Sequence, residues 1–203
     1  MRLARGAGAR YVVADIGPTG EYLPPVGQGD PLQWRRHFVQ QGEILGSTPI
    51  DAFHIETMTD VREALVALEA LREVAPSIPV LVSLTFERKK KGFFTIMGDP
   101  LAASLQRLEQ AGAAAVGANC SIASQDMRAL AQEALASASG APLVFQPNAG
   151  VPQRTGDITR YAQDPEEFAE DLASLLSAPR VAALGGCCGT DPRFIAALRA
   201  RMP

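Results

Sequence analysis

The chain has 203 residues, 47% of them hydrophobic, which fits one domain (1–203) with a substantial core. A net charge of −3 without a basic run interleaved with aromatics excludes a nucleic-acid binder, and apolar runs far shorter than a bilayer, with no basic-then-apolar leader, exclude a membrane protein. Three cysteines cannot all pair within one chain, so a secreted disulfide scaffold gives way to reduced thiols in a cytoplasm.

Small and basic residues from Met1 to Ala9 suit the tail of a helix, and Tyr11-Val-Val-Ala-Asp-Ile16 reads as a buried strand broken by Gly17-Pro-Thr-Gly20. A proline- and glycine-rich loop, Pro24 to Asp30, leads into a helix from Pro31 to about Leu45. Ala52 to Ile55 is the second strand, ending at Glu56-Thr57-Met58, after which Thr59 or Asp60 caps a strongly periodic helix, Val61 to Val74. Pro79 to Leu84 forms the third strand, and a long loop through Gly98 carries the solvated run Arg88-Lys-Lys-Lys91. Asp99-Pro100 opens a helix to Gln110, Gly112 stops it, and Ala113 to Ala118 is a strand ending on Asn119 and Cys120. Helix Gln125 to Ala136, strand Leu143 to Phe145, helix Pro165 to Leu176, strand Val181 to Leu184 and helix Pro192 to Arg201 follow.

Six alternating βα units with short, apolar strands are the signature of a parallel sheet covered by helices. Glu56, Thr85, Cys120, Asn148, Cys187 and Cys188 all fall at or just beyond the carboxyl ends of strands, where α/β folds place their sites. Periodicity does not separate an open sheet from a barrel. Six units by themselves favour an open doubly wound sheet, because a (β/α)8 barrel needs eight strands.

The three cysteines lie where an apolar run gives way to a turn, in Asn119-Cys120-Ser121 and Gly185-Gly-Cys-Cys-Gly-Thr190. Three thiolates hold a zinc ion while leaving its fourth position open, the plan of a catalytic site. The competing readings are buried small hydrophobes and a redox pair at Cys187-Cys188, and the latter lacks Cys-x-x-Cys spacing. Zinc ligated by Cys120, Cys187 and Cys188 is the stronger reading.

Asn119-Cys120, Pro147-Asn-Ala-Gly150 and Gly185-Gly-Cys-Cys-Gly-Thr190 resemble the zinc-dependent homocysteine S-methyltransferase family, which includes the homocysteine-binding domain of cobalamin-dependent methionine synthase and the betaine–homocysteine methyltransferases. Asp15-Ile-Gly-Pro-Thr-Gly20, Glu56-Thr-Met-Thr-Asp60 and Val82-Ser-Leu-Thr-Phe86 match in the family's order, and Gly-Pro-Thr-Gly with Thr-Phe-Glu favours the corrinoid-linked branch. The resemblance implies a (β/α)8 TIM barrel in which the six strands stand for strands three to eight. The first two βα units, with an Asp-Gly acid that helps hold the substrate amino group, have no counterpart.

It also implies transfer of a methyl group to the thiolate of homocysteine, giving methionine, from a methylated corrinoid protein, with betaine or S-methylmethionine as other donors. Glu56 would hold the substrate ammonium, against a plain capping or salt-bridged acid. Asn148 would give zinc an oxygen when substrate is absent, or only shape its turn. Thr85 would line the pocket. Neither His54 nor His37 is required as a ligand. The alternative is a non-catalytic or partner-dependent zinc-binding remnant, and a complementing chain or second copy would cover the open sheet edges.

Overall fold

The computed structural model describes residues 2–137 and 140–202. A short helix α1 (Arg2–Gly6) precedes strand β1 (Val13–Ile16), helix α2 (Pro31–Gly46), β2 (Ala52–Met58), α3 (Val61–Val74) and β3 (Val80–Leu84). The segment expected to be a plain loop contains an antiparallel hairpin, β4 (Glu87–Lys89) and β5 (Gly92–Phe94), with the lysines at its turn. Next come α4 (Leu101–Gln110), β6 (Ala115–Ala123), α5 (Ser124–Ala136), β7 (Leu143–Asn148) and a second unexpected hairpin, β8 (Gln153–Thr155) with β9 (Ile158–Arg160). The chain closes with α6 (Pro165–Leu172), a 3-10 turn over Ala173–Leu175, β10 (Val181–Leu184) and α7 (Pro192–Arg199). Neither hairpin shows a long apolar alternation, which is why both escape a reading by periodicity.

Helix starts follow local chemistry. Asp30, Asp164 and Asp191 each stand before a proline and accept the backbone N–H two residues on, so proline fills the position whose N–H would lack a partner. Asp60, not Thr59, caps α3, accepting from the Arg62 backbone and bound to its guanidinium at 2.6 Å.

The six long strands pair in parallel in the order β1-β2-β3-β6-β7-β10, strictly the order of the chain. A doubly wound sheet reverses direction at a switch point. Here every crossover steps the same way, and because such parallel connections are right-handed the helices fall on one face, so the sheet is an arc of a (β/α)8 barrel, as the motif resemblance implies, and not the open doubly wound sheet that the unit count alone favours. The core lies on the helix side, where Phe53, Ile55, Val82, Val116, Leu143 and Phe145 are all essentially inaccessible. On the other face, register aligns Asp15, His54, Leu81 and Ala115 in one row and Ser83, Gly117, Val144 and Ala183 in the next.

Two strands run further than sequence suggests. β2 continues through Glu56-Thr57-Met58, and β6 passes through Asn119 and Cys120 to Ala123. Both extensions carry a register shift, between Ile55 and Met58 against β3 and between Asn119 and Ala123 against β7. Such irregularities re-aim side chains at strand ends.

Candidate metal centre

Cys120 and Ser121 have φ of 59° and 62°, and Thr57, on the β2 extension, has 62°. Left-handed backbone at non-glycine residues costs roughly 1–3 kcal/mol each and persists only where surrounding structure holds it. These turns fall inside the two register shifts, so the backbone bends where the thiol of Cys120 is presented. Cys187 and Cys188 arrive on the loop after β10. That loop is laced to the end of β7: Cys187 N–H donates to Pro147 O (2.8 Å), Cys188 N–H to Asn148 Oδ1 (3.1 Å), and Ala149 N–H to Cys188 O (2.9 Å). Its glycines are required by space. A Cβ on Gly186 would meet the Thr190 side chain at 2.5 Å, and one on Gly189, at φ +80°, would meet the Tyr161 ring at 2.2 Å.

The three Sγ atoms lie within 4.8 Å of one another, with Cys120 and Cys188 3.7 Å apart. A disulfide would need about 2.0 Å. Three thiolates on one tetrahedral zinc, each Zn–S about 2.3 Å, stand about 3.8 Å apart, so the donor set fits the ion. Electrostatics agree. Hydrogen bonding from Cys187, with help from the Ser121 backbone, Cys188 and Asn148, brings the Cys120 thiol down to about 5 against the opposing effect of burial. The hydrogen bond to Cys120, burial and the neighbouring sulfur charges then push Cys187 strongly upward. Without a cation the cluster readily carries one negative charge and resists a second; a dication removes that resistance.

Around the sulfurs stands a polar frame. Asn119, wholly inaccessible, accepts from the Thr57 N–H (2.7 Å) and donates to Thr57 Oγ1 (2.8 Å) and to Cys187 Sγ (3.8 Å). Asn148 is buried, its oxygen turned to the Cys188 N–H. Thr85 is buried, its N–H and hydroxyl both directed at Met58 O, at 2.8 and 3.4 Å. Tyr161, carried in after the second hairpin, sets its ring beside Gly189, and burial, then the Cys188 thiol, raise its hydroxyl.

Glu56 is half-buried on the same edge. Burial, then the charge and hydrogen bond of Asp15, then the charge of Cys120 push its carboxyl up to about 7. His54 is buried, Nε2 at 2.8 Å from Ser83 Oγ and Nδ1 3.9 Å from the Glu56 carboxylate; burial pulls it down to about 4, so it is neutral near pH 7. His37 is exposed on α2. The structure thus brings the three cysteines together with Asn148 and places Glu56 within electrostatic reach of Cys120. Thr85 is spent on strand-end hydrogen bonding. Asp15, Asn119 and Tyr161 were not singled out from sequence. Asp15 and Asn119 stood inside the quoted motifs, whereas nothing local marks Tyr161, because a hairpin delivers it.

A profile of the homocysteine S-methyltransferase family matches residues 1–202. The chain is 29% identical over 190 residues to a methionine synthase of Mycobacterium leprae and 28% identical over 194 residues to one of Mycobacterium tuberculosis, covering 92% of this chain in each case and 15% and 16% of those proteins. The apo structure of the homocysteine methyltransferase MmuM from Escherichia coli superposes with a TM-score of 0.70 at 24% identity, over 98% of this chain and 66% of that one, and its metallated form gives 0.71. The chain therefore spans about a sixth of the matched synthases and just under two thirds of the matched structure.

Proposed function

The chain belongs to the homocysteine S-methyltransferase family, and from that premise we propose that it methylates homocysteine to methionine at a zinc ion held by Cys120, Cys187 and Cys188. The observation that carries this is the convergence of three Sγ atoms within 4.8 Å from the bent end of β6 and the loop after β10. Held by the three thiolates, zinc would supply a Lewis acid that favours the substrate sulfur as thiolate near neutral pH, where a free thiol of pKa about 8.5 is mostly protonated.

The protein's own groups do the rest. Glu56, ionised, accepts a charge-assisted hydrogen bond from the substrate ammonium, and that positive charge relieves its repulsion with Asp15 and Cys120. Neutral His54 adds no competing cation. Thr85 and Asn148 hold the strand ends on which substrate sits. The homocysteine sulfur forms the new S–CH3 bond while the donor–methyl bond breaks and the donor keeps the electron pair. The donor we propose is a methylated corrinoid carried by another domain or chain in a reducing cytoplasm, the reading favoured by Gly17-Pro-Thr-Gly20 and Thr85-Phe-Glu87.

In the assay, zinc-loaded protein and homocysteine are mixed with methylated corrinoid protein, betaine or S-methylmethionine in turn; methionine is expected with the first, and none with any donor overturns the reading. A second reading is favoured by the open sheet: a zinc-binding subunit that turns over only when a polypeptide pairs at the edges of β1 and β10. Zinc-dependent release of about one proton per homocysteine bound marks a substrate-competent site in the isolated chain. Stoichiometric zinc without that release supports the second reading.

A further inference from the structure

We infer that Asn119 is a positioning residue for the zinc site, a buried amide whose N–H binds the Cys187 sulfur and sets that ligand's place and electron density. Its orientation is fixed by chemistry. The Thr57 backbone N–H can only donate, so the atom 2.7 Å from it must be Oδ1. Nδ2 therefore faces the other way, toward Thr57 Oγ1 at 2.8 Å and Cys187 Sγ at 3.8 Å, a distance suited to the larger sulfur. With Asn119 wholly inaccessible, the two amide hydrogens have two acceptors, the hydroxyl and the thiol.

The consequence is mechanical as well as electronic. Thr57 is itself held in the left-handed region at the register shift of β2, one residue from Glu56. A single amide thus ties the proposed substrate acid to a proposed metal ligand across two strand ends, β3 lying between β2 and β6. Outer partners of this type orient the ligands and tune the metal. An N–H directed at a thiolate withdraws electron density from it, leaving more of the metal's charge for the incoming sulfur.

This inference rests on the zinc reading, and the experiment separates the two. The full chain is loaded with a spin-half cadmium isotope in place of zinc, with its asparagine side chains nitrogen-labelled. A scalar coupling between cadmium and an Asn119 Nδ2 hydrogen, passing through the Cys187 sulfur, is expected. Cadmium bound by the three cysteines without that coupling overturns the inference and leaves the metal site standing; a chain that binds no cadmium and no zinc overturns both. The functional consequence is read from zinc competition and the thiolate-to-metal charge-transfer band of the cobalt-substituted protein. Asn119→Asp, which keeps an acceptor for Thr57 but has no N–H for sulfur, is expected to lose about 10- to 100-fold in zinc affinity and to shift the band. Thr57→Val, which keeps the β-branch and the backbone donor, is expected to leave the band in place. An unshifted band in Asn119→Asp, or an equal shift in Thr57→Val, reduces the amide to a strut and overturns the inference.

Discussion

At the scale of the residue, the thiols and the acids place opposite demands on the same edge. Cys187 is pushed upward, first by its hydrogen bond to Cys120 and then by burial and the neighbouring sulfurs, while Cys120 is drawn down, so the two thiols titrate as a pair. Cys187→Ser is accordingly expected to reduce zinc from one equivalent to substoichiometric under mild chelator competition, read by metal analysis after gel filtration. Glu56 shows the cost on the acid side. Its folded value, about 7, lies above its ordinary 4.5, so folding favours the protonated form, and stability rises as pH falls from about 7 to 4.5. Above that window the ionised carboxyl works against the fold. Glu56→Gln is expected to raise stability by about 1 kcal/mol near pH 8, a figure discounted because 23% of the side chain stays exposed to solvent, with the gain gone by about pH 4.5. The same change removes the charge proposed to meet the substrate ammonium, so calorimetry should show weaker homocysteine binding beside the higher melting temperature. His54 has the opposite sign: its folded value, about 4, lies below the ordinary 6.5, so its contribution is complete above 6.5 and is lost as pH falls toward 4. That loss is of the order of 3 kcal/mol. In wild type, protonation of Glu56 offsets part of it, and in Glu56→Gln the acid limb of a urea-stability profile should be steeper.

At the scale of the element, the site depends on how closely β6 and β7 pack. Gly117, the third residue of β6 and paired with Val144 of β7, has the Val144 carbonyl oxygen 1.8 Å from where a Cβ would lie. That neighbour is backbone and cannot rotate away. Gly117→Ala is expected to force the two strands apart, destabilising by about 3 kcal/mol or more in denaturant titration, and to lower zinc affinity because Cys120 and Asn148 sit at the far ends of those strands. Sequence made much of this legible. Prolines at Pro31, Pro165 and Pro192 marked three helix starts, and glycines framed the double cysteine tightly enough to single it out as a candidate site. What escaped was non-local. The extensions of β2 and β6 rest on left-handed Thr57, Cys120 and Ser121, held by partners sixty or more positions away such as the Thr57–Asn119 pair. The Tyr161 contact depends on a hairpin with no apolar period. Counting units favoured a doubly wound sheet while the motifs' resemblance implied an incomplete barrel, and the pairing order, which no single strand encodes, bears the barrel out.

At the scale of the whole molecule, the sequential order that builds the arc also leaves it open, with β1 and β10 each paired on one side only among the described residues. The two edges are not equally guarded. β1 alternates exposed and buried residues and carries Asp15, a charge that opposes further pairing. β10 is Val181-Ala-Ala-Leu184, without a charge, bulge-protected only near its start, and with both alanines exposed. Beside it lies an apolar cavity of about 350 Å³ lined by Leu176, Val181, Leu184, Ile195, Leu198 and Met202. An uncharged edge next to an apolar groove is a template for another strand and the helix that covers it. The isolated chain is therefore expected to self-associate as concentration rises, with β10 the responsible edge. Placing a lysine at the exposed Ala183, on the face opposite the helices, should suppress association without touching the core. Sedimentation velocity of Ala183→Lys and wild type over the same concentration range provides the check. A matched lysine at Val13, on already guarded β1, is the control expected to change little; if it suppresses association as strongly as Ala183→Lys, the uneven protection of the two edges is not what governs how this sheet is completed.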